Sequence, residues 1–372
     1  MNGGVLIDMK KKYIQYGAAG GLVIGGIALV SLLGKETVSM PANAKVLDLS
    51  LGENAFYLDE TNYVETMNDT VIPYLEAHEA KGYVTAEDGA EIYYEQYLLE
   101  DAKQHVVILH GFTETSQKYK EVIYYFMQAG YSVSIIDHRG HGLSEREVED
   151  ASMVHIEDFD TYVSDLKVFM DEIVMPSVAN GDVFLYAHSM GGGIGSLFLE
   201  QYPEYFKAAV LNAPMMEIHT GSVPKMVAKG IANFMEFIGK DENYILGHGP
   251  YEGIGENHFP TCSQARFTYN ETQKAANEAI QLNGGSFAWL DAGFEATEQM
   301  QEEAAQATVP ILLFQADEDT YVLPEGHYIF ANQAPNTQLI FVEDSQHEIY
   351  LSSNEIMIPY FNTIFEFLEE YN

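Results

Sequence analysis

The chain has 372 residues, of which 47% are hydrophobic and 12% aromatic, and 18 Lys+Arg against 56 Asp+Glu give a formal net charge of −38. This composition can bury a core and is unlike that of disordered chains. A surface this acidic repels phosphate backbones and strongly anionic membranes, so it excludes nucleic acid and leaves neutral or zwitterionic small molecules as the expected partners.

The first 44 residues predict a membrane anchor or a signal segment. Three lysines at 10–12 precede an uncharged apolar run at 17–34, which at about 1.5 Å per helical residue would barely cross a bilayer core. The positive-inside rule keeps the lysines in the cytoplasm. We therefore expect a single-pass protein of the cell membrane with the rest of the chain outside the cytoplasm. Secretion after cleavage near 42–44, where small residues flank an asparagine, is the alternative.

Residues 45–80 predict an acidic linker followed by a helix. Tyr63, Met67, Ile72 and Leu75 recur at helical spacing in this part of the chain. A hairpin is expected next, because alternating strands flank the turn pair Asp88-Gly89.

Short apolar runs without polar alternation follow at intervals and predict buried strands. They lie at 105–112, 131–138, 182–189, 207–214, 309–319 and 337–345. Helical patterns separate most of them. Strands buried on both faces that alternate with helices form a mostly parallel sheet covered by helices on both sides. The predicted fold class is therefore α/β, with this domain at 81–372.

The interval 217–307 breaks the alternation of strands and helices. It contains no strong strand pattern, only amphipathic pieces punctuated by glycine. About ninety residues are too many for a loop between two strands. We expect a helical cap inserted over the edge of the sheet.

Ser189 is the predicted nucleophile. The strand that ends at Ala187 must turn abruptly into a helix that begins near Met190. A serine at such a turn has a strained backbone that projects its hydroxyl from the sheet, and large side chains two positions away would collide. Ala187 and Gly191 are small enough. A phosphate loop is the alternative, but no lysine follows the glycines. The neighbouring His188 is not expected to reach the Ser189 hydroxyl.

The base and its acidic partner are expected at the ends of two later strands. His347 follows the last strand, and Asp317, Glu318 and Asp319 follow the strand before it. A carboxylate at one strand end can orient the imidazole from the next and stabilise the imidazolium formed by proton transfer. The order of serine, acid and histidine is the one expected for this sheet type. Each of the three carboxylates remains a candidate for the partner of His347 at this point.

Two backbone N–H groups are predicted to hold an oxyanion. The segment HGFTETS leaves the first parallel strand beside the nucleophile and can present the N–H of Phe112. The N–H of Met190 would complete the pair. His110 and Gly111 would shape this loop.

A metal site is not expected. His138 and His141 in DHRGHGLS have no further clustered ligand, which argues against a metal site. Cys262 is the single cysteine, so an internal disulfide is impossible. Its neighbours, Thr261 and Ser263, offer no base that would activate its thiol.

These segments together resemble the α/β-hydrolase superfamily, and within it the monoacylglycerol lipase and bacterial lysophospholipase branch. HGFTETS resembles the family's H-G-x-x-E-x-S, DHRGHGLS its D-x-x-G-H-G-x-S, and AHSMGG its G-H-S-M-G-G. QADEDTYV resembles a segment whose last acid is catalytic, which implies Asp319, and SQHEI resembles the segment of the catalytic histidine, which implies His347. In the cap, HFPTCSQARF and GGSFAWL resemble bacterial lysophospholipases.

The resemblance implies a serine hydrolase that cleaves acyl esters such as monoacylglycerol or lysophospholipid through Ser189, His347 and Asp319, without a cofactor. An apolar acyl pocket would be formed by the cap residues Met226, Phe234, Phe237, Phe259 and Trp289. Two alternatives remain, since a fold does not set its substrate. One is an aminopeptidase or another small-substrate hydrolase, with Glu252 and Glu256 holding a substrate amine. The other is a non-catalytic binding protein on the same scaffold.

Overall fold

A mostly parallel sheet of nine strands runs through the part of the chain that the computed structural model describes. That part comprises residues 38–50, 52, 56–102, 104–178 and 181–372. The strands of the described part are β1 (Lys45–Val46), β2 (Glu79–Thr85), β3 (Glu91–Tyr97), β4 (Gln104–Leu109), β5 (Ser132–Ile136), β6 (Met153–Val154), β7 (Asp182–His188), β8 (Ala208–Asn212), β9 (Gly284–Gly285), β10 (Ile311–Ala316) and β11 (Thr337–Val342). Strands β6 and β9 pair with each other, and the other nine form the main sheet. The order in the sheet is β1-β11-β10-β8-β7-β4-β5-β3-β2, and β3 runs antiparallel to both of its neighbours.

Helices of nine or more residues flank this sheet. Those in the described part are α1 (Lys120–Gln128), α2 (Phe159–Phe169), α3 (Ser189–Gln201), α4 (Lys225–Phe237), α5 (Gln264–Ala276), α6 (Phe287–Glu303), α7 (Pro324–Gln333) and α8 (Asn354–Glu369). Shorter helical segments are Glu60–Asn62, Tyr63–Thr66, Met67–Val71, Ile72–Glu76, Ser116–Tyr119, Met170–Val174, Met175–Ser177, Pro203–Tyr205, Glu278–Ile280, Ala304–Gln306 and Ile349–Leu351. The predicted α/β class, with helices flanking a mostly parallel sheet, is confirmed.

The central strands are buried on both faces, which explains their unbroken apolar sequence. In β4, Val106 and Ile108 belong to the buried cluster that includes α1 and α8, and Val107 and Leu109 are buried as well. Since successive side chains of a strand point to opposite faces, the second pair faces the other helical layer. There α3 packs against α2 and α6.

Between β8 and β10 the described chain carries α4, α5 and α6, and its one strand there, β9, has only two residues. This is the interval in which the sequence predicts a helical cap. The pairing of β9 with β6 attaches the interval to the segment after β5, through Met153 opposite Gly284 and Val154 opposite Gly285.

The region predicted as a linker contributes to the sheet. Lys45 and Val46 form a parallel edge strand opposite Ile340 and Phe341 of β11. The Asn43 side chain donates to the carbonyl of the first β11 residue at 3.0 Å. The small residues around Asn43, which suggest a cleavage site in the sequence, are therefore held against the folded sheet.

The predicted localisation needs correction. The apolar run at 17–34, from which an anchor or signal segment is predicted, lies outside the described residues. Among the residues that are described, none form a helix both long enough and apolar enough to span a bilayer. On this finding the prediction of a single-pass membrane protein is wrong.

A buried arginine joins the cap interval to the rest of the fold. The Arg266 side chain on α5 is fully buried, and its Nε donates to both carboxylate oxygens of Glu121 on α1 at 3.0 Å. It also donates to the Ser352 carbonyl at 3.1 Å and to the Asn354 side chain at 2.8 Å. The Tyr63 hydroxyl donates to Glu121 at 2.8 Å. Four separate parts of the chain therefore meet at one ion pair.

Replacing this arginine should destabilise the fold, because Glu121 would keep a buried charge without its cation. We expect Arg266→Met to lower the free energy of unfolding by about 3–5 kcal/mol, measured by urea denaturation. The double variant Arg266→Met, Glu121→Leu should recover much of the loss, because it removes both charges. A loss below about 1 kcal/mol in the single variant would mean that the pair contributes no more than an exposed one.

Glu200 on α3 is buried, and neither of its carboxylate oxygens has a hydrogen-bond partner among the described residues. Burial, reinforced by the charge of Glu303, raises the pKa of Glu200 to about 9. The folded protein therefore holds a proton at neutral pH that the unfolded chain releases. This contribution to stability is complete below the ordinary pKa of 4.5 and is lost as the pH rises toward 9.

A neutral isostere at this position should remove that pH dependence. We expect the stability of Glu200→Gln relative to the wild type to increase between pH 5 and pH 9 by about 1 kcal/mol or more. Thermal unfolding at several pH values measures this difference. Glu302→Gln, the same change at an exposed site on α6, is the control and should show no comparable trend. A stability difference independent of pH would show that Glu200 is ionised in the folded protein.

Candidate active site

Ser189 lies at the junction of β7 and α3 with a φ of +51°. A non-glycine residue in this left-handed region is strained. The turn is close to the preceding strand, since a Cβ at Gly191 would lie 2.5 Å from the carbonyl oxygens of Leu109 and His110. Glycine is therefore required at this position, whereas the methyl group of Ala187 fits within the buried strand.

Ser189, His347 and Asp319 are connected by hydrogen bonds. The Ser189 Oγ lies 2.7 Å from His347 Nε2, and His347 Nδ1 lies 2.7 Å from Asp319 Oδ2. The other carboxylate oxygen of Asp319 accepts the backbone N–H groups of Tyr321 at 2.8 Å and Val322 at 3.0 Å. The acceptor role of Asp319 fixes the proton of His347 on Nδ1 and leaves Nε2 free to accept from the serine.

The other two candidate acids lie elsewhere. The carboxylate of Asp317 is 3.4 Å from the backbone nitrogen of Asp344, and Glu318 lines the cleft beside the serine. Of the three carboxylates that the sequence leaves open, Asp319 is therefore the hydrogen-bond partner of His347, at 2.7 Å from its Nδ1.

The pKa values of His347 and Asp319 depend on each other's charge. Burial alone lowers the pKa of His347, but the adjacent carboxylate of Asp319 outweighs it and raises this pKa above the usual 6.5. Burial likewise raises the pKa of Asp319, and the neighbouring imidazole together with two backbone N–H donors holds it below the usual 3.8. Asp319 is therefore ionised at neutral pH, and its carboxylate favours the positively charged form of His347.

His188 does not reach the serine. Its Nδ1 accepts a hydrogen bond from the Asn212 side chain at 3.0 Å, and burial lowers the pKa of His188 to about 3. It is therefore a neutral, buried residue, and no hydrogen bond joins its ring to the Ser189 hydroxyl in the described part of the structure.

The loop after β4 lies directly against Ser189. A Cβ at Gly111 would be 3.1 Å from the Ser189 Cβ, so the next residue, Phe112, passes beside the serine and lines the cleft. Met190 is the second residue of α3, and the first N–H groups of a helix have no acceptor within it. Phe112 and Met190, the two predicted oxyanion residues, thus flank Ser189 in the structure.

Glu114 holds this loop in place and is not among the residues that the sequence analysis singles out. Its carboxylate accepts the Gly111 N–H at 2.7 Å, the Tyr119 hydroxyl at 2.7 Å, the Lys118 ammonium at 2.6 Å and the Tyr350 hydroxyl at 2.9 Å. Burial alone would raise the pKa of Glu114, but Lys118 and these donors hold it well below the usual value. The available signal is the glutamate inside HGFTETS, three residues after Gly111.

The histidines of DHRGHGLS belong to the frame of the site. The Asp137 carboxylate accepts the N–H groups of Ser116 at 2.7 Å and Leu143 at 3.0 Å, which joins this loop to the one after β4. His138 and His141 are buried, and burial holds the pKa of each well below 6.5. In the part of the chain that is described, no three His, Cys, Asp or Glu side chains are arranged to hold a metal ion.

A cleft of about 1170 Å³ opens at Ser189 and His347. One set of wall residues is apolar and comes from the chain between β8 and α4, from α4, from the segment after α4 and from α6: Met215, Ile218, Val223, Ala228, Ile231, Ile245, Leu246, Phe287, Trp289 and Leu290. A second set is polar and comes from the loop after β4, from 251–274 and from the loop of His347: Gln117, Lys118, Tyr251, Glu256, Asn257, Asn270, Glu271, Lys274, Gln346 and Glu348.

The predicted acyl-pocket residues divide into two groups. Phe259 and Trp289 line the cleft. Met226, Phe234 and Phe237 are wrong as pocket residues, because their side chains are 74%, 58% and 86% exposed and do not line it. The rotation of α4 explains the difference, since the helix turns Ala228 and Ile231 toward the cleft instead. Of the two acids proposed to hold an amine, Glu256 lines the cleft and Glu252 does not.

Cys262 is half-buried, and burial raises the pKa of its thiol to about 11. A thiol with this pKa is protonated at neutral pH and is a poor nucleophile.

Comparison with known proteins identifies relatives for most of the chain. Residues 100–354 match the family described as "Serine aminopeptidase, S33" (Hydrolase_4). Lysophospholipase L2 of Escherichia coli (strain K12) is 28% identical over 297 residues, which cover 77% of this chain and 87% of that protein. A monoacylglycerol lipase of Mycolicibacterium smegmatis is 26% identical over 271 residues, 70% of this chain and 88% of the relative.

A solved structure shows the same fold. The monoglyceride lipase of Saccharomyces cerevisiae superposes with a TM-score of 0.62 at 18% identity, covering 78% of this chain and 95% of that structure. The match of the family model extends over more than half of the residues. The chain therefore belongs to the serine aminopeptidase S33 family of α/β-hydrolases, on its monoacylglycerol lipase and lysophospholipase branch.

Proposed function

We propose that this protein hydrolyses acyl esters of single-chain lipids, such as monoacylglycerol or lysophospholipid, through an acyl-enzyme formed on Ser189. The chain is a carboxylic-ester hydrolase by its family and relatives. The observation that carries the proposed mechanism is the hydrogen-bonded series Ser189, His347 and Asp319 at the cleft.

The reaction begins when Ser189 Oγ attacks the ester carbonyl and His347 Nε2 takes its proton. Asp319 stabilises the imidazolium and keeps the ring in place for the next step. His347 then gives the proton to the leaving alcohol, and the acyl group remains on Ser189. Water deprotonated by His347 attacks the acyl-enzyme, which releases the fatty acid and restores the serine.

The tetrahedral intermediate needs donors for its oxyanion. The N–H groups of Phe112 and Met190 are the proposed donors, because both residues flank Ser189. One such donor typically contributes about 2.7–4 kcal/mol of transition-state stabilisation. Glu114 contributes indirectly, since its bond to the Gly111 N–H positions the loop of Phe112.

The apolar wall of the cleft supports a lipid substrate. Residues such as Ile218, Ile231 and Trp289 offer an acyl chain a surface on which to leave water, at about 0.8 kcal/mol per buried methylene. A short acyl chain would leave most of this wall in contact with water. The wall therefore favours long acyl chains over acetyl esters.

Removal of the nucleophile tests the proposal most directly. Ser189→Ala should lower kcat for a long-chain monoacylglycerol roughly a millionfold and abolish labelling by a fluorophosphonate. Ser196→Ala, a serine within the same helix whose hydroxyl bonds the Gly192 carbonyl, is the matched control and should remain active. The assay should include amino-acid anilides, because the family description names aminopeptidases and Glu256 lines the cleft. Preference for anilides over esters would favour the aminopeptidase alternative, and an unlabelled wild type would favour the non-catalytic one.

The pH profile tests the acid. Activity requires neutral His347, so kcat/KM should rise with pH through a midpoint above 6.5, the ordinary value that Asp319 raises. Asp319→Asn should lower kcat about 10⁴-fold and move the midpoint to lower pH, because burial of the imidazole is then no longer opposed. Asp317→Asn removes the same charge two residues away and should change neither. A profile altered by Asp317→Asn and not by Asp319→Asn would contradict the assignment.

A further inference from the structure

Two lysines line the cleft in a protein with a net charge of −38. Lys118 lies beside the loop after β4, and Lys274 lies on α5. Cations are scarce in this chain, so a lysine in the substrate cleft needs an explanation. Their surroundings differ, and this difference identifies the one that is available to a ligand.

Lys118 is occupied by the protein. Its ammonium is 2.6 Å from a carboxylate oxygen of Glu114 and forms a second ion pair with Glu348. Burial lowers its pKa, but these two carboxylates outweigh that effect and raise it above the usual value. Lys118 therefore neutralises the wall beside the triad and has little attraction left for an anion.

Lys274 has no carboxylate within ion-pair distance among the described residues. Its ammonium faces the ring of Tyr251 at 5.7 Å from the centroid, and the Tyr251 hydroxyl is buried without a hydrogen-bond partner in the described part. Burial and the charge of Lys118 lower the pKa of Lys274, against the opposing effect of the carboxylates of Glu271, Glu114 and Glu348. Since none of these carboxylates forms an ion pair with Lys274 in the described part of the chain, a bound anion would give its ammonium a direct partner.

The position of Lys274 suits a headgroup. It belongs to the polar wall, together with Lys118 and Glu348, which follows His347 directly. The two sets of wall residues named above come from different elements, and both belong to the cleft that contains Ser189. An ester bound at Ser189 can thus place its acyl chain on one wall and its alcohol part on the other.

A carboxylate lies one helical turn before this lysine. Glu271 also lines the cleft, and its Oε2 accepts the Gly255 N–H at 2.9 Å. Residues three apart lie on the same face of a helix. The wall thus offers a positive and a negative group in sequence, which complements a zwitterion better than a neutral glycerol.

We propose that Lys274 binds the phosphodiester of a lysophospholipid headgroup and that Glu271 faces the ammonium group of the same headgroup. This inference rests on the proposed function and selects a substrate within it. A monoacylglycerol has no charge to offer either residue, so its glycerol forms no ion pair with the polar wall. A zwitterionic lysophospholipid adds ion pairs with Lys274 and Glu271 to the contacts of its acyl chain.

The test compares esters of one acyl chain with different headgroups: monoacylglycerol, lysophosphatidylcholine and lysophosphatidylglycerol. Lys274→Met should raise KM for both phosphate-containing substrates about tenfold or more, because a charge-assisted bond is lost, and should raise KM for monoacylglycerol much less. Lys240→Met removes the same charge at an exposed site outside the cleft wall and should affect none of them. Retained monoacylglycerol hydrolysis also shows that Lys274→Met is folded.

Glu271→Gln tests the contact with the ammonium group separately from the contact with the phosphodiester. Glutamine keeps an oxygen for the Gly255 N–H but loses the negative charge. The preference for lysophosphatidylcholine over lysophosphatidylglycerol should therefore decrease, because only the former carries the ammonium group.

Each outcome of these assays decides a different claim. Equal effects of Lys274→Met and Lys240→Met on the phosphate-containing substrates, with monoacylglycerol still hydrolysed, would overturn the headgroup site and leave the proposed function standing. An undiminished preference in Glu271→Gln would overturn the role of Glu271. A wild type that hydrolyses none of the three esters would overturn the proposed function, and the headgroup site with it.

Discussion

The parallel alignment of four strands is the constraint on which the site depends. Strands β4, β7, β10 and β11 run in the same direction, so their carboxyl ends meet at one edge of the sheet. Phe112, Ser189, Asp319 and His347 each follow one of these ends. Residues far apart in the chain therefore converge without a dedicated scaffold, and a rigid, buried sheet holds them to hydrogen-bonding distance. The strained turn at Ser189 is tolerable because the packing around Gly191 leaves it no alternative.

A second constraint on this acidic chain is that its buried charges need partners. Buried carboxylates are matched individually, Glu114 with Lys118 and Glu121 with Arg266, since an unpaired buried charge is costly. Asp137 is held instead by two backbone N–H donors, and Glu200, whose carboxylate has no hydrogen-bond partner among the described residues, takes up a proton. Against this pattern, Lys274 stands out as a lysine in the cleft that forms no ion pair within the described part of the chain.

The sequence predicts the strands and the convergence of the site because burial on both faces and short motifs leave strong local patterns. The sequence does not predict features that are determined by tertiary packing. The edge strand at Lys45 is too short to show a period, and the rotation of α4 places Phe237 in solvent although its helix pattern is apolar. The choice among three neighbouring acids needs the direction of Asp319 in space. The role proposed for Lys274 cannot be predicted from the sequence, because it depends on which side chains surround this lysine in the folded protein.

The ion pair of Arg266 has a consequence for where the functional unit begins. The family match starts at residue 100, yet Tyr63 donates to Glu121, which in turn anchors the helix that carries Glu271 and Lys274. A fragment trimmed to the matched segment would keep Ser189, His347 and Asp319 but would lose the Tyr63 contact together with β2, β3 and most of α8. Homology boundaries alone therefore leave out parts of the sheet and of the buried core that hold the cleft in place.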